Sequence, residues 1–120
     1  MTRAIAVLSL ACIFATPCQA ATISSRSGIR IQVSPHAAAK LQCVINYVER
    51  YVRIKYMRGY GRGTVRGSRH PSGNALDINQ YARGRTRPAI PMHVSNGAAD
   101  TCGVTSGARW LNQDNGHWNL

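Results

Sequence analysis

The segment "SPHAAAKLQCVINYVERYVR", residues 34 to 53, is the one stretch of this chain with a sustained helical period. Ala37, Leu41, Val44, Ile45, Val48 and Val52 recur at three- and four-residue steps, which is one face of an α-helix. Ser34 suits the N-cap and Pro35 the first helical position. The spacing predicts a helix over 35–52. An amphipathic helix needs a cover for its apolar face. The rest of the chain offers short alternating runs for that purpose. Ile29, Ile31 and Val33 alternate with Arg30 and Gln32, "ALDINQYA" alternates over 75–82, and His117-Trp118 closes the chain. The polar stretch before Ile29 reads as a mobile N-terminal segment. "ADTCG" and "SGARWLN" read as short helices broken by Gly103 and Gly107, with Trp110 in the core.

Size sets the next limit. Residues 1–20, "MTRAIAVLSLACIFATPCQA", carry Arg3, an apolar run from Ala4 to Ala15 and a small residue at each position a signal peptidase reads, Cys18 and Ala20. This pattern predicts a secretory signal cleaved after Ala20. The apolar run is shorter than the ~20 residues of a spanning helix, so no membrane anchor is expected after cleavage. Residues 21–33 then form an N-terminal segment and 34–120 a single domain. A domain this small buries roughly two thirds of its unfolded surface and has a thin core. The two cysteines outside the signal, Cys43 and Cys102, are expected to form a disulfide in an exported protein. The expected location is periplasmic or secreted.

The formal charge is +11, from 15 Lys and Arg against 4 acidic residues. That field attracts polyanions such as envelope polymers, phospholipid headgroups or extracellular nucleic acid. Charge alone does not choose among them. The scarcity of acids makes each one informative. Asp77 closes "SRHPSGNALD", seven residues after His70. A helix cannot unite that pair, but a turn at Pro71-Ser72-Gly73 can, with glycine free to take a positive φ. Imidazole and carboxylate together suit Zn²⁺, and a catalytic zinc site takes three protein ligands. His117 offers the third, and Asp114, three residues before it, is placed to act as a base. His36 and His93 read as surface histidines. A lone His-x6-Asp is by itself a weak signal.

Ser68-x-His70-x-x-Gly73-x-Ala75-x-Asp77, followed by Asp114-x-x-His117, resembles the paired motifs of zinc D-alanyl-D-alanine carboxypeptidases. Their relatives include VanY-type and VanX-type peptidases, phage endolysins and, nearest to this chain, extensin-like C-terminal domains. "GYGR", ending at Arg62, is similar to the "SYxCR" of the extensin-like form. The resemblance implies a small α+β fold with a short antiparallel sheet, one main helix and short helices, shared with hedgehog-type metallopeptidases. It implies zinc held by His70, Asp77 and His117, with Asp114 as general base. It implies an arginine for substrate carboxylate or oxyanion, carried here to Arg62, with Arg58 and Arg66 as competitors and Ser68 also on the substrate side. The implied activity is hydrolysis of peptidoglycan stem-peptide or cross-link bonds, as carboxypeptidase or endopeptidase. The expected partners are wall peptides and anionic wall polymer, with no nucleic acid, and the expected state is a monomer. Here Asp stands at 114 where many members have Glu. The alternative is a non-catalytic cationic wall-binding protein that retains the zinc site.

Overall fold

A computed structural model describes residues 20–63, 66–80 and 90–120. The expected signal, apart from Ala20, lies outside the described residues, as do Tyr81 and most of the proline-interrupted stretch over 83–91. The element order is β1 (Ala21–Ser24), β2 (Arg30–Val33), α1 (Pro35–Val48), β3 (Met57–Arg58), β4 (Ala75–Ile78), α2 (Met92–Cys102), β5 (Thr105–Ser106), a 3-10 turn (Gly107–Arg109) and β6 (His117–Asn119). This is an α+β fold. Among the described residues, β1 and β2 form an antiparallel hairpin. The other four strands form an antiparallel sheet in the order β3-β4-β6-β5.

Helix α1 begins where the sequence placed it, with Ser34 at the N-cap and Pro35 in the first turn. Ser34 does not cap through its side chain. Its hydroxyl meets His36 Nδ1 at 2.6 Å, and its backbone N–H donates to the Gly73 carbonyl at 2.9 Å. The helix ends at Val48, four residues earlier than the periodicity predicted. Beyond Val48 the backbone tightens: Arg50 N–H donates to Tyr47 O and Tyr51 N–H to Val48 O. The Glu49 carboxylate turns away to accept the Arg26 N–H at 2.7 Å.

The stretch before Ile29 is not a mobile tail: its residues 21–24 pair as β1 with β2, the strand expected at Ile29–Val33. Ile23 and Val33 are buried in the same core as the inner face of α1. Gln42 of α1 bonds both the N–H and the carbonyl of Ser24. The two short helices expected around Gly103 and Gly107 are present as α2 and the 3-10 turn Gly107–Arg109, but α2 begins at Met92, well before "ADTCG". It buries Val94, Ala98 and Ala99 and ends in a left-handed Gly103. Gly97 permits its approach to α1, because a Cβ there would lie 2.8 Å from the Tyr47 ring. Cys43 of α1 and Cys102 of α2 form a disulfide. The sheet closes the other side of the core with Leu76, Ile78 and Trp118, each fully buried. The Trp118 indole N–H donates to Ser95 O at 3.0 Å.

Candidate metal centre

Strand register assembles most of the site. Asp77 lies opposite Arg58 on β3 and opposite His117 on β6. Directly opposed residues on paired strands present their side chains to the same face. Arg58, Asp77 and His117 therefore stand side by side across three strands.

His70 arrives from outside the sheet on the turn before β4. Gly73 N–H donates to His70 O at 3.0 Å, and Asn74 N–H to Arg69 O at 3.0 Å. Gly73 sits at φ +73°, and a Cβ there would lie 2.6 Å from Ser34 N and closer still to the Tyr60 ring. Only glycine fits that position, which explains why the turn between His70 and Asp77 contains it. Ala75 is fully buried beside Asn119 across the sheet and does not line the cleft at the site.

The three side chains meet closely. Asp77 Oδ1 is 2.7 Å from His117 Nδ1, and Oδ2 is 3.0 Å from His70 Nε2. All three residues are buried, and one donor atom from each falls within 4.8 Å of the other two. His70 Nδ1 lies 2.7 Å from the Gly59 carbonyl. A carbonyl only accepts, so Nδ1 carries a proton, and Nε2 faces Asp77 Oδ2: protonated it donates to the carboxylate, and once deprotonated it offers its lone pair to a ligand. Two imidazoles and a carboxylate, with one imidazole fixed by a backbone carbonyl, form a donor set that fits a metal ion.

The charge state agrees with that chemistry. Burial raises the Asp77 pKa, but hydrogen bonds from His117 and His70 outweigh it and hold the carboxyl below its usual range. Burial opposes a charged His70, yet its bonds to Asp77 and Gly59 raise its pKa. The Asp77 carboxylate is therefore ionised at neutral pH and ready to hold a cation.

An open cleft of about 550 Å³ leads to the triad and is lined in part by Arg58, Arg66, Ser68, Arg69, Trp110 and Asp114. Asp114 stands on the turn before β6, where its N–H donates to Gly107 O at 2.8 Å. Gln80 Nε2 donates to its Oδ1. Burial raises the Asp114 pKa, with His117 opposing and Asp77 adding to the rise.

The structure redistributes some expected roles. Arg62 is exposed and does not line the cleft, whereas Arg58 does, with Nη1 3.9 Å from Asp77 Oδ2. The Arg62 carbonyl instead accepts from Arg58 Nη2 and holds that side chain in place. The Arg62 side chain itself lies outside the cleft that Arg58 lines. Ser68 is at the cleft, and its hydroxyl accepts the His70 N–H at 3.4 Å. His36 and His93 are both exposed. Trp110 is not core: it is 40% exposed, lines the cleft and packs on His117. Gln80 carried no signal in the sequence beyond its place just after the Asp77 strand.

No helix among the described residues is long and apolar enough to cross a membrane, and the disulfide is consistent with an oxidising compartment. No protein-family profile, curated protein or solved structure matches the chain.

Proposed function

We propose that this chain is an exported zinc peptidase that hydrolyses D-amino-acid peptide bonds of peptidoglycan. The observation that carries the reading is the buried His70–Asp77–His117 group opening into a cleft that also holds Asp114. The donor set favours zinc over a hard cation, since two of three donors are imidazoles. When bound, zinc supplies Lewis acidity at the base of the cleft.

The chain's own residues supply the rest. Asp114 takes the proton of the attacking water and delivers it to the departing amine as the C–N bond breaks. A base works best when its pKa approaches the working pH, and burial moves Asp114 in that direction. Gln80 fixes Asp114 Oδ1, leaving Oδ2 to handle the proton. Arg58 offers a fixed cation to a substrate carboxylate or to the oxyanion that develops at the carbonyl. Arg66 and Arg69 extend the positive wall of the cleft, which suits an anionic wall polymer.

The test is incubation of purified peptidoglycan with the zinc-loaded protein, with and without chelator, and identification of products by mass. The expected result is chelator-sensitive release of stem-peptide fragments, abolished in Asp114→Ala with zinc retained. Identical products in chelator, or none from the zinc-loaded protein, would overturn the proposal. Salt-sensitive wall binding that survives Asp114→Ala, without any cleavage, would instead support the non-catalytic alternative.

A further inference from the structure

The cleft lining mixes unlike groups. Arg58, Arg66 and Arg69 make it cationic, and Trp110, 40% exposed, adds an apolar ring. The residue after it, Leu111, is fully exposed. A half-exposed indole beside a fully exposed leucine leaves apolar surface in water.

Trp110 is held rather than loose. Gly107 O accepts both Trp110 N–H, at 3.2 Å, and Asp114 N–H, at 2.8 Å. Ser106 Oγ caps the turn through Ala108 N–H, and Arg109 grips both oxygens of Asp100 on α2 at 2.8 and 2.9 Å. Trp110 itself adopts an extended backbone, and its ring centroid lies 4.9 Å from the His117 imidazole at 46°. One extended residue spans about 3.3–3.6 Å. A group resting on the indole is therefore within roughly a residue or two of any bond at the triad.

We infer that Trp110 is the specificity-determining platform of the cleft, selecting an apolar side chain on a residue that flanks the bond cleaved. This inference rests on the peptidase reading above. The position decides between the two apolar faces of a wall fragment. A glycan ring lies several residues from the bond, whereas an alanyl methyl lies next to it.

The experiment compares synthetic stem-peptide analogues carrying alanyl or glycyl residues on either side of the scissile bond. It measures kcat/KM and zinc content together. The zinc-loaded wild type prefers alanyl over glycyl on one side by about tenfold, the range of one methyl in an apolar pocket. Trp110→Ala keeps its zinc and reduces that preference to within about twofold, while Trp110→Phe keeps most of it. If Trp110→Ala releases zinc, Trp110→Leu decides the matter, since it keeps bulk beside His117 without the flat ring. A variant that holds zinc and keeps the wild-type preference, or that slows both substrates equally, overturns the platform and leaves the peptidase reading standing. A zinc-loaded wild type that cleaves no analogue overturns both.

Discussion

Replacing Gly73 by alanine tests whether the turn between His70 and Asp77 is built as described. Two costs add at this position. Alanine at φ +73° pays about 1–2 kcal/mol for the left-handed region. Its methyl would also lie 2.6 Å from Ser34 N, so the chain must shift and the 2.9 Å bond from Ser34 N–H to Gly73 O is strained or lost. A lost buried hydrogen bond costs about 1–3 kcal/mol. The expected destabilisation is therefore about 3 kcal/mol or more. Gly28 is the internal control. It sits at φ +88° with nothing within 4 Å of the place a methyl would take, so Gly28→Ala carries the backbone term alone, about 1 kcal/mol. Urea unfolding of both variants, each saturated with chelator, gives the two values from midpoint and slope. Equal losses at the two positions, or a loss under about 1 kcal/mol at Gly73, would refute the packing argument. Because Gly73 N–H also fixes the His70 carbonyl, Gly73→Ala should weaken zinc binding, whereas Gly28→Ala should not.

Further outcomes come from the same structure. Reducing the Cys43–Cys102 bridge, which spans a sequence separation of 59, should lower stability by about 4 kcal/mol in the loop-entropy model, read by unfolding with and without reductant. Arg58→Ala should lower kcat/KM by about a hundredfold, as loss of an oxyanion donor does. Arg62→Ala should stay within about twofold, since only its backbone carbonyl touches the site. In chelated protein, the raised His70 pKa gives stability that is fully present below its unfolded value of 6.5 and is lost as pH rises through the folded value. The raised Asp114 pKa also costs stability as pH climbs above 3.8, while the lowered Asp77 pKa acts only on the acid side. Thermal melts of chelated protein should therefore be higher at about pH 5.5 than at about pH 8. Zinc affinity should run the other way, tightening as His70 gives up its proton.

The site was more legible in the sequence than the fold around it. His70, Gly73 and Asp77 are held by local turn chemistry followed by a strand, and local chemistry is written in adjacent residues. His117 was legible through its spacing from Asp114. That Arg58 rather than Arg62 stands beside Asp77 was not, because strand register decides it: Arg58 faces Asp77 across β3 and β4, and no spacing rule reveals that pairing. The start of helix α2 was hidden for a similar reason. Gly97 and the run Ser95-Asn96 are poor helix formers. Contact of Gly97 with Tyr47 and the bridge to Cys43 hold the helix from outside the segment. Strand β1 has a single buried residue, Ile23, which is too little pattern to read. Trp110 was placed in the core on residue type alone. A turn capped by Ser106 carries it instead to the cleft.

The most direct measurement is a calorimetric titration of zinc into metal-free protein and into His70→Ala, Asp77→Asn and His117→Ala. One tight zinc per chain is expected in the wild type. Each variant should bind at least about a hundredfold more weakly, since no fourth side chain among the described residues joins the three donors. Wild-type protein that takes up no zinc, or variants that bind it as tightly as the wild type, would contradict the claim that these three side chains form a metal centre.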